Sequence, residues 1–286
     1  MAVTSDAARQ RPGLVPDFGD LTRLPWWLLI VIASGAMALY SIIANPLWTD
    51  AFRFVQAGLL LTIVASLSAF FVALVLGLLS GLGQLSDNTV FRNLSVLYVQ
   101  IMRGVPLLVQ IVFWAFVIIP AITDLLNGLG GVLLSLGIGN LGRNLANLSV
   151  REIQMTYRAI AALAIGYGAF EAEVFRAGIE SIERGQMEAA RSLGMSHFQA
   201  MRYIILPQAI RVILPPLGND FIAMLKDSSL ISVLAVRELT HLGQLHRART
   251  FRSWEALGTV AFLYLVLTLS LSFLVKTMER RMAFER

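Results

Sequence analysis

From Phe54 to Gly83 the chain carries no charged side chain. A stretch of about 20 apolar residues already crosses the ~30 Å hydrocarbon core of a bilayer, and a soluble fold has no surface that needs a longer one. This run therefore reads as a membrane-spanning helix, and the rest of the chain has to be compatible with it. The composition is: 57% of the 286 residues are hydrophobic and only 14% are charged, against about 25% charged in soluble domains. Further apolar runs cover Leu24–Ala44, Val105–Pro120, Arg158–Gly178, Gln208–Leu225 and Trp254–Val275, so the expectation is an all-α integral membrane protein with six spans.

Residues 1–23 mix Arg9, Arg11 and Arg23 with Asp6, Asp17 and Asp20 and show no periodicity, as a cytoplasmic tail would. Trp26, Trp27 and Trp48 bracket the first run like interfacial anchors. A cleaved signal peptide, suggested by Ala36-Met37-Ala38, fits less well with the long tail ahead of it. Ser86-Asp87-Asn88 is a polar break, and Ala121–Arg158, rich in Gly, Asn and Leu, reads as a loop too long for an ordinary connection, expected to pack outside or to fold in part. Leu230–Leu245 has the apolar spacing of one amphipathic surface helix.

Charge and composition exclude several chemistries. The net charge of +5 and basic pI could suit nucleic acid, but the basic residues sit in short segments beside apolar runs, where they anchor to anionic lipid. The chain has no cysteine, and His197, His241 and His246 form no ligand cluster; the last two read as solvated. The glycines of 128–142 lack Walker A spacing and its terminal Lys-Ser/Thr, so this polypeptide is not expected to hydrolyse ATP. No nucleophile–base set appears, so no catalytic residue and no metal site is assigned.

Ionisable residues inside a span are functional candidates by default. Glu173 and Arg176 share a face of the Arg158–Gly178 run and can pair there, while Glu171 points nearly opposite. Pro215-Pro216 breaks the Gln208–Leu225 run, and Asn219 and Asp220 lie beside the carbonyls that the prolines free.

The most specific pattern is the hydrophilic island Glu188-Ala189-Ala190-Arg191-Ser192-Leu193-Gly194, running on to Ile204-Ile205-Leu206-Pro207. Locally it reads helix, turn, helix: Gly194 ends the first helix, Ser196 caps a second over His197–Ile205, and Pro207 ends or kinks that one. Ala189, Ala190 and Leu193 make a small-residue face. Glu-Ala-Ala, three residues, Gly, nine residues and Ile-x-Leu-Pro resembles the EAA loop of ABC importer membrane subunits. Two more landmarks resemble the branch that imports polar amino acids (histidine, glutamate, glutamine, arginine and opines). These are Arg103-Gly104-Val105-Pro106-Leu107-Leu108-Val109-Gln110 and Lys226-Asp227-Ser228-Ser229-Leu230. Gly58 and Thr62 match small residues that the family carries at the outer start of a span.

The resemblance covers residues 54–281 as a type I permease domain and leaves 24–44 as an extra N-terminal helix. It implies that Glu188, Ala189, Ala190, Arg191, Leu193 and Gly194 form a cytoplasmic coupling helix on a dimeric ATP-binding subunit. ATP and Mg would belong to that subunit, with no cofactor on this chain. It further implies a second permease subunit, identical or sister, an extracytoplasmic substrate-binding protein, and the cytoplasmic membrane of a prokaryote. Lys226, Asp227, Ser228, Ser229, Glu173 and Asn219 are the expected substrate path. Six spans and basic ends place both termini and the coupling loop in the cytoplasm; Arg237–Arg252 argues the other way, being basic on the outer side. A secondary transporter or channel is the competing reading, and it would require inverted repeats and mid-membrane carboxylates.

Overall fold

The computed structural model describes residues 26–283, with the side chains of 27 and 281–283 left aside, and is helical throughout that range with no strand among the described residues. The expected tail over 1–23 lies outside the described residues. α1 (Trp26–Ala44) ends at Asn45, whose side chain accepts the Leu47 N–H at 2.9 Å while Pro46 occupies a first-turn position of α2 (Pro46–Val55). A proline there has no donor to waste, so the chain reverses without an orphaned amide. A 3-10 turn over Gln56–Gly58 leads into α3 (Leu59–Gln84). Three helical stretches among the described residues are long and apolar enough to cross a membrane: Pro46–Gln84, Leu107–Ser135 and Ser253–Arg280. Leu28–Ala44 is a shorter apolar helix.

After the Ser86–Asn88 break, Asn88 caps α4 (Thr89–Gly104) through Val90 N–H at 2.9 Å. Val105, preceding Pro106, is held extended, which separates α4 from α5 (Leu107–Phe113). Pro106 has no N–H for the Met102 carbonyl four residues back. The Gln110 side chain donates to that oxygen at 2.5 Å and to Val105 O at 2.7 Å.

Two expectations for the next region fail. Pro120 does not end the span. A π turn over Trp114–Ile118 inserts an extra residue, Pro120 falls in the first turn of α6 (Ile119–Ser135), and the helix continues. The stretch Ala121–Arg158 is therefore mostly helical, well beyond the partial folding expected of a loop. α6 ends near Gly137 (φ +82°), and α7 (Gly139–Ala146) folds back against it. A Cβ on Gly142 would lie 2.9 Å from Leu134 N, and one on Gly130 would lie 2.8 Å from Gly142 O. The glycines that look loop-like in sequence are the surface on which two helix backbones meet.

α8 (Met155–Glu180) runs parallel to α3. Gly77 sits under Glu171 and Gly81 under Phe175, so the pairing advances in the same direction on both helices. Ala65, Ala69 and Ala73 of α3 and Ala159, Ala162 and Leu163 of α8 are fully buried in one cluster. Small side chains let the backbones approach, so contact comes from dispersion where lipid offers no hydrophobic drive.

α9 (Arg184–Ser192) and the short α10 (His197–Ala200) follow. The second expected helix does not end at Pro207. A π turn over Met201–Ile205 carries the chain directly into α11 (Leu206–Asp227), which tolerates Pro207 in its first turn and Pro215 and Pro216 in its interior. Leu230–Leu245 is likewise not one helix. A 3-10 run over Ser228–Leu234 stops at left-handed Ala235 (φ 57°), and α12 (Leu239–Thr250) starts separately under a Glu238 cap. Left-handed Phe251 then turns the chain into α13 (Ser253–Ala283). α2 and α12 pack together over the starts of α3 and α13 as a cap, with Val55, Leu239, Val260 and Leu263 in one cluster. His246, expected to be solvated, is buried there against the Phe54 ring and lies 3.9 Å from Asp50, because α12 turns that side toward α2.

Candidate functional site

Two places in the bundle hold the residues singled out from sequence. The first is the elbow between α8 and α11. Ser196 and Gln199 form a reciprocal cap, with Ser196 Oγ accepting Gln199 N–H at 3.2 Å and Gln199 Oε1 accepting Ser196 N–H at 2.9 Å. The end of α9 closes by Met195 N–H to Ala190 O at 3.2 Å and Gly194 N–H to Arg191 O at 3.0 Å, around Gly194 at φ +83°. This double closure requires a left-handed residue at the helix end. Glu188, Ala189, Arg191, Leu193 and Gly194 are all exposed. Leu193 at 84% and Phe198 at 69% exposure present bare apolar surface on an otherwise polar elbow. Ala190 corrects the expected small-residue face: it is buried at 4%, because it turns inward one residue after Ala189.

The second place is the middle of the bundle. Tyr167 lies twelve residues inside the start of α8, about 18 Å at ~1.5 Å per residue. Its hydroxyl donates to Asp227 Oδ2 at 2.7 Å. The end of α11 and the 3-10 run after it are thus held deep in the bundle, and Ile231, Leu234 and Val236 pack in the α3–α8 cluster. Irregular backbone at membrane depth is tolerated only where protein buries it or where it lines a water-filled path. Lys226 is exposed beside this turn and Ser229 is half-buried. Ser228 is fully buried and donates to Leu225 O at 2.7 Å, so its hydroxyl closes the helix end. Asn219 donates to Pro215 O at 3.2 Å, within its own helix.

Glu173 does not join this group. It lies 2.8 Å from Arg176 and 3.6 Å from Arg103, and Arg103 also covers the Phe170 ring at 5.9 Å. Arg103 thereby ties α4 to α8, and Arg176 is shared with Glu180 at 2.6 Å. The carboxyl that faces the interior is Glu171, wholly buried against Gly77, with neither oxygen hydrogen-bonded. Asp220 of α11 is within its electrostatic reach and also has a buried, unpaired oxygen. The expected substrate path includes neither acid, and it gives Tyr167 no role. The flanking Gly166 and Gly168, which let Leu107 and Tyr98 pack close, were the available signal.

A third polar cluster fixes the cap. Glu238, fully buried, accepts Thr240 N–H at 2.8 Å, His241 N–H at 2.7 Å and the Tyr264 hydroxyl at 2.9 Å. Burial pushes its carboxyl above the ordinary glutamate range, and the hydrogen bonds pull it partly back. Thr62 accepts Leu239 N–H at 3.2 Å, and a Cβ on Gly58 would lie 2.6 Å from the Glu238 carbonyl carbon. Gly58 and Thr62 are small because the backbone entering α12 crosses α3 there.

The sequence and the fold are similar to those of known proteins. Residues 73–284 match the family described as binding-protein-dependent transport system inner membrane component. The glutamine transport system permease protein GlnP of Escherichia coli (strain K12) is 34% identical over 225 residues, covering 79% of this chain and 91% of that protein. The probable glutamine ABC transporter permease protein GlnM of Bacillus subtilis (strain 168) is 35% identical over 82% of this chain and 95% of its own length. Among solved structures, an amino acid ABC transporter crystallised with histidines superposes with a TM-score of 0.65 at 35% identity, covering 82% of this chain and 95% of that one. An inward-facing MetNI methionine ABC transporter shares the fold alone, at a TM-score of 0.58 and 19% identity over 84% of this chain and 99% of that chain. The chain belongs to the family of binding-protein-dependent transport system inner membrane components, the membrane permease subunits of ABC importers.

Proposed function

We propose that this chain forms half of a permease that moves polar amino acids into the cell by alternating access, driven by a separate ATPase dimer carrying ATP and Mg. The observation that carries the reading is the irregular turn at Ser228–Leu234, which follows Lys226 and Asp227 at the end of α11 and is held mid-bundle by the Tyr167–Asp227 bond. Lys226, Asp227 and Ser229 offer charge and hydrogen bonds to an amino acid there, and buried Glu171 and Asp220 lie behind them. Ser228 and Asn219 keep the backbone in shape, and Glu173, pinned by Arg103 and Arg176, fixes the inner end. The exposed elbow of Glu188, Ala189, Arg191, Leu193 and Gly194 docks on the ATPase, with Leu193 and Phe198 as apolar contacts. An extracytoplasmic receptor delivers substrate at the cap of α2 and α12, and a second permease subunit completes the path. The elbow then lies in the cytoplasm, and the membrane is the cytoplasmic membrane of a prokaryote.

The test is uptake into proteoliposomes holding this chain, its ATPase and its receptor, assayed with labelled glutamine, arginine, histidine and glutamate. Uptake that requires internal ATP and falls with Lys226→Ala or Asp227→Asn, while the ATPase stays bound, is the expected outcome. Uptake that proceeds without ATP would return the chain to the secondary-transporter reading. Wild-type uptake by both variants at every substrate concentration would remove the turn from the path.

A further inference from the structure

We propose that the cavity between α2 and α12 binds the phosphate of an anionic phospholipid whose acyl chains run down the exposed face of α3. The cavity holds about 550 Å³ at the end of the bundle opposite the elbow. Arg53 from α2, Arg237 from the link before α12 and Arg249 from the last turn of α12 line it. Among the described residues no carboxylate pairs with any of the three. Arg249 instead lies 5.4 Å from the Phe54 ring. Of the nearby acids, Asp50 is exposed and lies 3.9 Å from His246, and Glu238 is buried under three donors. Three guanidinium groups turned on one cavity repel one another unless an anion joins them, and their fixed donor forks suit phosphate oxygens.

Depth and shape select a lipid as the occupant. Trp48 and Trp254 meet edge-on at 6.5 Å about a turn beyond Arg53, the position that tryptophan takes at a membrane interface. On the other side of Arg53 the same helical face continues through Ala57 into Leu60, Val64 and Phe71, all exposed and apolar. Cations at headgroup depth above an apolar stripe match a phospholipid, and a soluble anion would leave the stripe unused. Phosphatidylethanolamine carries its own ammonium, which three arginines oppose, so an anionic headgroup such as phosphatidylglycerol is selected. Such a lipid also accounts for the basic stretch Arg237–Arg252, which the charge rule alone places on the wrong side.

Native mass spectrometry tests this with the full-length chain released from micelles holding equal phosphatidylglycerol and phosphatidylethanolamine. The wild type is expected to retain one phosphatidylglycerol per chain. Each guanidinium–phosphate bond is strong, so Arg53→Gln with Arg249→Gln should lower the retained fraction by roughly tenfold or more. Arg237→Gln alone should lower it less, and Lys276→Gln with Arg280→Gln, at the other end of the bundle, should leave it intact. Circular dichroism of every variant distinguishes lost binding from lost fold, and Arg237→Gln keeps the test open if the double variant unfolds. Equal retention of the two lipids by the wild type, or undiminished phosphatidylglycerol on the arginine variants, overturns the proposal. Inorganic phosphate shielding the arginines from phenylglyoxal as well as the lipid does would make this a soluble-anion site and overturn the lipid. Variants that lose only receptor-stimulated hydrolysis, with lipid retention unchanged, would assign the arginines to an acidic receptor surface instead.

Discussion

Replacing Gly194 by alanine isolates what the elbow backbone contributes to coupling. A Cβ at this position meets nothing within 4 Å, so the substitution adds no clash. The cost comes only from φ +83°, where a Cβ crowds the following carbonyl by about 1–2 kcal/mol. That shifts the balance between the closed elbow and an opened one by a factor of about 5–30. Gly185, in the first turn of α9, also has open space around its Cβ position and no left-handed backbone. Gly185→Ala should therefore be neutral or stabilising by up to about 1 kcal/mol. Gly194→Asn should lie between wild type and Gly194→Ala, since Asn enters the left-handed region with less strain. The assay is receptor-stimulated ATP hydrolysis in the reconstituted complex, with ATPase binding measured in parallel. The expected order of stimulation is Gly185→Ala equal to wild type, then Gly194→Asn, then Gly194→Ala. If Gly194→Ala and Gly185→Ala behave alike in both measurements, the left-handed closure is not what positions the docking face.

Other perturbations test the rest of the bundle. Arg158 is buried and donates to Ile153 O at 3.0 Å, to Ala115 O at 3.1 Å and to Val150 O, so Arg158→Met removes three buried hydrogen bonds and should cost about 2–5 kcal/mol, read as a lower melting temperature in detergent. Lysine cannot supply the same fork, so Arg158→Lys should recover little of that loss. Gly58→Ala places a Cβ against backbone that cannot step aside, for roughly 1–3 kcal/mol in the same melt. Glu238 should make the melt pH-dependent. Its folded pKa lies above the ordinary value near 4.5, so the native state binds more protons, and its contribution is full below 4.5 and lost as pH rises through the folded value. Glu238→Gln should flatten that slope whatever it does to the level, and an unchanged slope would refute the assignment.

Much of the architecture follows from the order of residue types alone. The charge-free run at 54–83 can only be a buried or membrane helix, because its side chains have no favourable exposure to water. Gly194 with Ser196 and Gln199 writes its turn locally, since each partner lies within a few residues of the other. Pro106 with Gln110 is also local, although only the folded chain shows the amide filling the bond that proline cannot make. What the tertiary structure decided is which elements meet. Gly130 and Gly142 look like loop residues until α7 folds onto α6, and then they are the only residue type that the contact admits. The segment 228–236 has an amphipathic pattern, but Tyr167, some 60 residues away in sequence, draws Asp227 and the following turn to mid-depth, where a helix gives way to a 3-10 run. Glu171 and Glu173 differ by two positions in sequence and are chemically identical, yet one is buried without a partner and the other is held by two arginines. Spacing along one helix fixes only the side from which each carboxyl leaves; the neighbouring helix fixes what each finds there.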